Sequence, residues 1–141
     1  MNQSCLLCDW SASDRQFQRI EVWQDELWRV TTSLVAPVPG FSYLEPKRHI
    51  AHVTDLDGKE ATTLGATLAR VTRALRDITG AELVYVNVFG DRVAHLHFNL
   101  APHREGDALR GGPGMMIEPA SPQPRPELEA VATRIRERLG D

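Results

Sequence analysis

The chain has 141 residues, and its scarcities set the first limits: two cysteines, no surplus of positive charge and no long apolar run. No stretch reaches the ~18 consecutive apolar residues that a membrane-spanning helix needs, so no membrane partner is expected. A formal net charge of −3 leaves no basic stripe of the kind that neutralises phosphates along a nucleic acid, so nucleic acid is not an expected partner. The opening Met-Asn-Gln-Ser-Cys-Leu-Leu-Cys has no basic region followed by an apolar core, so no secretory signal is read and a cytoplasmic location is expected. In that setting two cysteines three positions apart are poor material for a structural disulfide and need another explanation. Histidine is also sparse, with five in the chain, and three of the five lie in one short stretch.

That stretch is Arg92 to His103, Arg-Val-Ala-His-Leu-His-Phe-Asn-Leu-Ala-Pro-His. Read with the two-residue period of a strand, Ala94, Leu96, Phe98 and Leu100 point to a core. His95, His97 and Asn99 point the other way, about 6.6 Å apart from one to the next. A half-buried strand usually shows water a mixed set of polar groups. Two imidazoles and an amide in a row read instead as a site.

The remaining elements frame this strand. Residues 17–23 and 27–32, rich in aromatic and β-branched types, read as a hairpin broken by Gln24-Asp25-Glu26, with Trp23 and Trp28 in the core. Phe41 to Glu45 reads as a short strand stopped by Pro46-Lys47-Arg48-His49. Asp57 and Glu60 have capping-box spacing, and Leu64, Leu68, Val71, Leu75 and Ile78 form a single helical stripe that ends at Gly80. Glu82 to Phe89 is apolar on both faces and reads as a central strand, with Asn87 near its end. Gly90-Asp91-Arg92 then makes a tight turn into the histidine strand as its antiparallel neighbour, which brings Asn87 near the histidines. Residues 104–126 carry four glycines and five prolines and read as a loop, with 104–119 mobile beside the site and Met115-Met116-Ile117 available as apolar cover. Residues 127–139 read as a last amphipathic helix, with Leu128, Val131, Ile135 and Leu139 on one side. The whole chain, 1–141, reads as one domain, with 1–10 as its metal-binding start.

Two chemistries suit these residues. Cys5-x-x-Cys8 alone is open to three readings: a redox pair, half of a zinc site, or chance. Suitable partners for zinc are His49, His52, His95, His97 and His103. Two thiolates and two imidazoles make a closed structural zinc site. His95 is the better partner from the key strand, because it leaves His97 free for chemistry, and His49 is preferred to His52 because it directly follows a strand. A neutral imidazole is also a good nucleophile near neutral pH toward phosphorus. The middle residue of the polar face, His97, suits attack on a phosphoryl group, with Asn99 as an amide donor that cannot shuttle a proton.

At this point the residues resemble a known family. His95-Leu96-His97-Phe98-Asn99-Leu100-Ala101 is similar to the alternating signature of the histidine triad (HIT) family, with Asn99 in place of the third histidine. Tyr43 to Ile50 resembles the family's strand followed by Pro-Lys-x-His, and Cys5-Leu6-Leu7-Cys8 resembles the start of its zinc-carrying bacterial members. The resemblance implies an α+β fold: an antiparallel sheet, made here by the five strands just read, covered by one long helix, plus a C-terminal helix and usually a homodimer. It implies hydrolysis or transfer of a nucleotidyl group from a small nucleotide substrate, through a covalent nucleotidyl-histidine on His97. Zinc, in that scheme, is held by Cys5, Cys8, His49 and His95, with Asn87 and His103 at the substrate. Asn99 resembles the uridylyltransferase branch, where an amide holds that position. Phe41 stands where many relatives have a further histidine, and Thr31-Thr32-Ser33 where an acidic residue often meets the ribose. A zinc-stabilised nucleotide-binding protein without turnover is the alternative function, and a redox protein the third.

Overall fold

The computed structural model describes residues 5–107 and 121–140. A 3-10 turn, Leu6–Cys8, leads into α1 (Trp10–Phe17), then β1 (Arg19–Gln24), β2 (Trp28–Ser33) and β3 (Ser42–Pro46). A second 3-10 turn, Val53–Asp55, precedes the long α2 (Gly58–Thr79). β4 (Leu83–Asn87), β5 (Phe98–His103) and α3 (Arg125–Gly140) complete the order. The five strands form one sheet in the order β1-β2-β3-β5-β4, and every pairing is antiparallel. This is the expected α+β architecture.

Alternation along the strands sorts side chains onto two faces. Trp28 and Val30 of β2, Leu44 of β3, and Phe98 and Leu100 of β5 turn to one side. There they meet Val71, Ala74 and Leu75 of α2, and Val131, Ala132, Ile135 and Leu139 of α3. Burying a side chain of this size contributes about 1.5–3 kcal/mol. Trp28 is fully buried and its indole N–H donates to Thr63 Oγ1 at 2.9 Å, so its polar end is satisfied within the core. Trp23 packs at the edge of the same core under the Arg70 guanidinium. Gly80 ends α2 in the left-handed conformation, where a glycine carries no Cβ penalty.

Several expectations need correction. Residues 10–17 form a helix, whereas the reading began a strand at Phe17; Asp9 caps α1 by accepting from the Ala12 N–H at 3.1 Å. The Asp57–Glu60 capping box does not form. Both carboxylates turn to Arg48 instead, at 2.6 and 2.9 Å, and raise its pKa. β4 is an edge strand rather than a central one, and its Leu83 and Val86 are each 44% exposed. The tight turn before β5 is replaced by a ten-residue connection over 88–97, although β4 and β5 are antiparallel neighbours as read. The last helix starts at Arg125, because Pro126 sits in its first turn, where no N–H is needed. Most of the expected 104–126 loop, including Met115-Met116-Ile117, lies outside the described residues.

Candidate functional site

The N-terminal 3-10 turn gathers the first ligating atoms. Its Cys8 N–H donates to the Cys5 carbonyl at 3.2 Å, and Leu7, buried, anchors the turn to the body. His49 follows β3 directly, and the neighbouring Ile50 carbonyl accepts from the Leu96 N–H at 2.7 Å. That bond brings 95–97 alongside 49–51. His95 thereby lies against the two cysteines.

Cys5, Cys8, His49 and His95 meet with one donor atom each, all within 4.8 Å of one another. The sulfur of Cys5 lies 3.4 Å from His95 Nδ1, and that of Cys8 lies 3.4 Å from His49 Nδ1 and 3.5 Å from His95 Nδ1. In a tetrahedral zinc site, Zn–S of about 2.3 Å and Zn–N of about 2.0–2.1 Å place sulfur and nitrogen about 3.6 Å apart. The observed spacing fits that geometry, and neither thiol is in a disulfide. His95 is fully buried, and burial holds its pKa below the ordinary 6.5, which favours the neutral ring that binds a metal. Its Nε2–H donates to the Pro46 carbonyl at 2.9 Å, so Nδ1 is left bare toward the cysteines. A cavity of about 430 Å³ lies beside Cys5 and His49.

His95 departs from the expected strand geometry. It precedes β5 and is buried while Ala94 is exposed, so the period-two alternation holds only from Leu96 onward. His97 remains apart from the cluster. Its Nδ1 lies 2.8 Å from the His95 carbonyl, and because a carbonyl only accepts, Nδ1 carries the proton and Nε2 the lone pair. His97 lines a cavity of about 390 Å³ with Ala51, His52, Val88, Phe89 and Gly90 among its walls. Asn99 pairs directly with Asn87 across β4–β5 and with Tyr43 across β3–β5, and Tyr43 pairs with Thr31. Residues opposite one another in a ladder share a face. Thr31, Tyr43, Asn99 and Asn87 thus form one polar row leading to the His97 end of β5. Among the described residues, the buried Thr31 hydroxyl meets no hydrogen-bond partner. Burial raises the Tyr43 pKa, the Arg19 charge opposing and the Glu45 charge adding to the effect.

Two other residues are placed elsewhere or differently. His103 ends β5 about 20 Å along the strand from His97, beside the Tyr85 ring, and is not brought to the cluster. Phe41 packs edge-on against Tyr43.

A buried ion network adjoins this row, outside the sequence-based expectations. Arg19 grips both oxygens of Glu45 at 3.2 and 3.1 Å and Asp14 at 2.9 Å. Arg29 reaches Glu21 at 2.7 Å, Glu45 at 3.3 Å, and both oxygens of Asp14. Desolvation works to lower the Arg29 pKa, but the bonds to Asp14 and Glu21 and the nearby charges outweigh it and raise the value. Trp10 and Phe17 of α1 stack under these guanidiniums. Opposite charges at non-core positions of three strands were the available signal. Glu45 is held immediately before Pro46, so the network stiffens the backbone that positions His95.

The fold is that of histidine triad proteins. No family model matches the chain. It is similar to an uncharacterized HIT-like protein of Mycobacterium tuberculosis, with 26% identity over 140 residues that cover 96% of this chain and 92% of the relative. A zinc-bound histidine triad family protein from Mycobacterium smegmatis superposes with a TM-score of 0.73 at 22% identity, covering 97% of this chain and 94% of that one. A hypothetical histidine triad nucleotide-binding protein from Sulfolobus tokodaii strain7 gives 0.72 at 22% identity, covering 96% and 92%.

Proposed function

We propose that this chain is a histidine triad enzyme that hydrolyses or transfers a nucleotidyl group, with His97 as nucleophile at the α-phosphate. The observation that carries the reading is the His97 ring itself: Nδ1 is tied to the His95 carbonyl while the residue lines an open cavity, which leaves Nε2 to attack. Attack forms an N–P bond as the bond to the leaving group breaks. Water then displaces His97 and releases the nucleoside monophosphate; in a transferase, an acceptor takes the place of water. Asn99 and Asn87, facing each other on the polar row, serve as amide donors to the phosphate oxygens. The S. tokodaii protein's description as nucleotide-binding supports a nucleotide ligand. His103 keeps only a place at the substrate's periphery.

Zinc is held by Cys5, Cys8, His49 and His95 in a closed four-ligand site, which fixes structure and supplies no open position for chemistry. The zinc-bound M. smegmatis protein supports the choice of metal. The exposed apolar edge of β4 suits a homodimer formed edge to edge. Among the described residues no helix is long and apolar enough to cross a membrane, and a cytoplasmic location is part of the proposal.

The test is intact-mass analysis after rapid quenching with a panel of nucleotides that bear an activated leaving group. One nucleoside monophosphate is expected on wild-type protein and none on His97→Asn. Binding of nucleotide by both, without adduct or turnover, would favour a zinc-stabilised nucleotide-binding protein.

A further inference from the structure

The cavity that holds His97 contains a second imidazole. Its walls are Ala51, His52, Val53 and Thr54, then Val88, Phe89 and Gly90, with Leu96 and His97 following them in sequence. Its volume, about 390 Å³, lies at the lower end of the roughly 300–1,000 Å³ typical of small-molecule sites. Among the described residues that line it, His52 and His97 are the two imidazoles. No carboxylate, lysine or arginine is among them.

His52 is held in place by backbone geometry. It begins the Val53–Asp55 turn, and its carbonyl accepts from the Asp55 N–H at 2.9 Å. Its ring lies over Gly90: a Cβ at that position would come within 3.1 Å of His52 Nδ1. Gly90 also has φ +87°, so a side chain there would be both crowded and strained. The imidazole therefore spans the gap between the two walls. Phe89 and Val53, 54% and 48% exposed, form an apolar lip around it.

Nucleotidyl transfer to His97 needs a proton for any leaving group that is not itself a stable anion. Asn99 cannot give one. We propose that this cavity receives the leaving group and that His52 protonates it, an inference that rests on the nucleotidyl-transfer reading above. As His97 Nε2 bonds to phosphorus, the electron pair of the breaking bond goes to the leaving oxygen or nitrogen, which takes the proton from the His52 imidazolium. The now neutral His52 removes a proton from water as its oxygen bonds to phosphorus and the N–P bond breaks. That step returns the imidazolium. The apolar lip suits a leaving group with a hydrocarbon portion.

The experiment compares His52→Asn and His52→Gln with wild-type, zinc-loaded protein on two substrates: a nucleoside 5′-phosphate p-nitrophenyl ester and the matching alkylamine phosphoramidate. The phosphoramidate kcat/KM should fall roughly 10²–10⁴-fold, and the drop for the aryl ester should be at least about tenfold smaller. Free imidazole should restore part of the lost rate, which a merely misfolded variant would not allow. If wild type forms the His97 adduct but both substrates slow equally and imidazole restores nothing, the role of His52 is overturned and the enzyme reading stands. If wild type turns over neither substrate and forms no adduct, both fall.

Discussion

The Nε2 of His95 donates to the carbonyl of Pro46 across 2.9 Å of buried space, and this one bond decides which face of the ring meets the cysteines. It selects the tautomer with a bare Nδ1 and fixes the ring plane before any ion arrives. The cluster is thus shaped by backbone as much as by its ligands.

One zinc per chain is the expected result of elemental analysis on protein purified without chelators. Cys8→Ser should lower the zinc content sharply. Structural zinc contributes up to about 10–16 kcal/mol in small peptide hosts, and a body with its own core should depend on it less. Even so, a loss of about 3 kcal/mol would lower the Tm by roughly 10 °C in a chain this size. A metal-free melt equal to the loaded one would remove the structural role.

Asn99→Ala should slow single-turnover adduct formation roughly 10²–10³-fold, because a preorganised donor to developing charge contributes about 3–4 kcal/mol. Zinc content should not change, since Asn99 lies outside the cluster. A rate equal to wild type would take Asn99 out of the reaction.

Glu45→Gln weakens the buried bonds to Arg19 and Arg29, which keep Asp14 and Glu21, and should cost about 1.5–3 kcal/mol, the range of hydrogen bonds to charged groups. Glu129→Gln, at the exposed Arg125 pair, should cost at most about 0.5 kcal/mol. Urea midpoints compare the two directly. Similar shifts for both would mean that the network under α1 is not held as described.

Tyr43 gives a pH dependence of known sign. Burial raises its folded pKa above the ordinary 10.0, so the unfolded chain ionises first as pH climbs. The associated stability is intact below pH 10 and is lost as pH rises through the folded pKa. Tyr43→Phe should flatten the alkaline limb of a stability–pH curve, and an unchanged limb would place the loss elsewhere.

Val86→Lys puts a charge on the exposed β4 edge, a common device against edge pairing. Light scattering should report a dimer for wild type and a monomer for the variant. A monomeric wild type would dispose of the dimer.

The sheet, the α2 stripe and the gathering of Cys5, Cys8, His49 and His95 were legible because periodicity and donor chemistry do not depend on distant neighbours. The helix at Trp10–Phe17 was not. It has no apolar stripe, since Ser11, Ser13, Asp14 and Gln16 interrupt it, and it docks through Asp14 onto two arginines that its own pattern does not reveal. β4 misled for the opposite reason: apolar residues on both faces signal a buried strand, but an exposed sheet edge has the same pattern. His95 was read on the polar face because period two was carried back before the start of β5, where the chain is outside the ladder and the ring turns inward.

The contact between Cys5 and His95 joins residues 90 apart in the chain. During synthesis at about 5–20 residues per second, the thiols emerge roughly 5–20 s before their most buried partner. Cys5 and Cys8 therefore wait for His95 before the cluster can close. Throughout that interval Cys5 and Cys8 stand without His95, and the nascent chain is more open to the redox state of its surroundings than the folded one, where both thiols are partly buried.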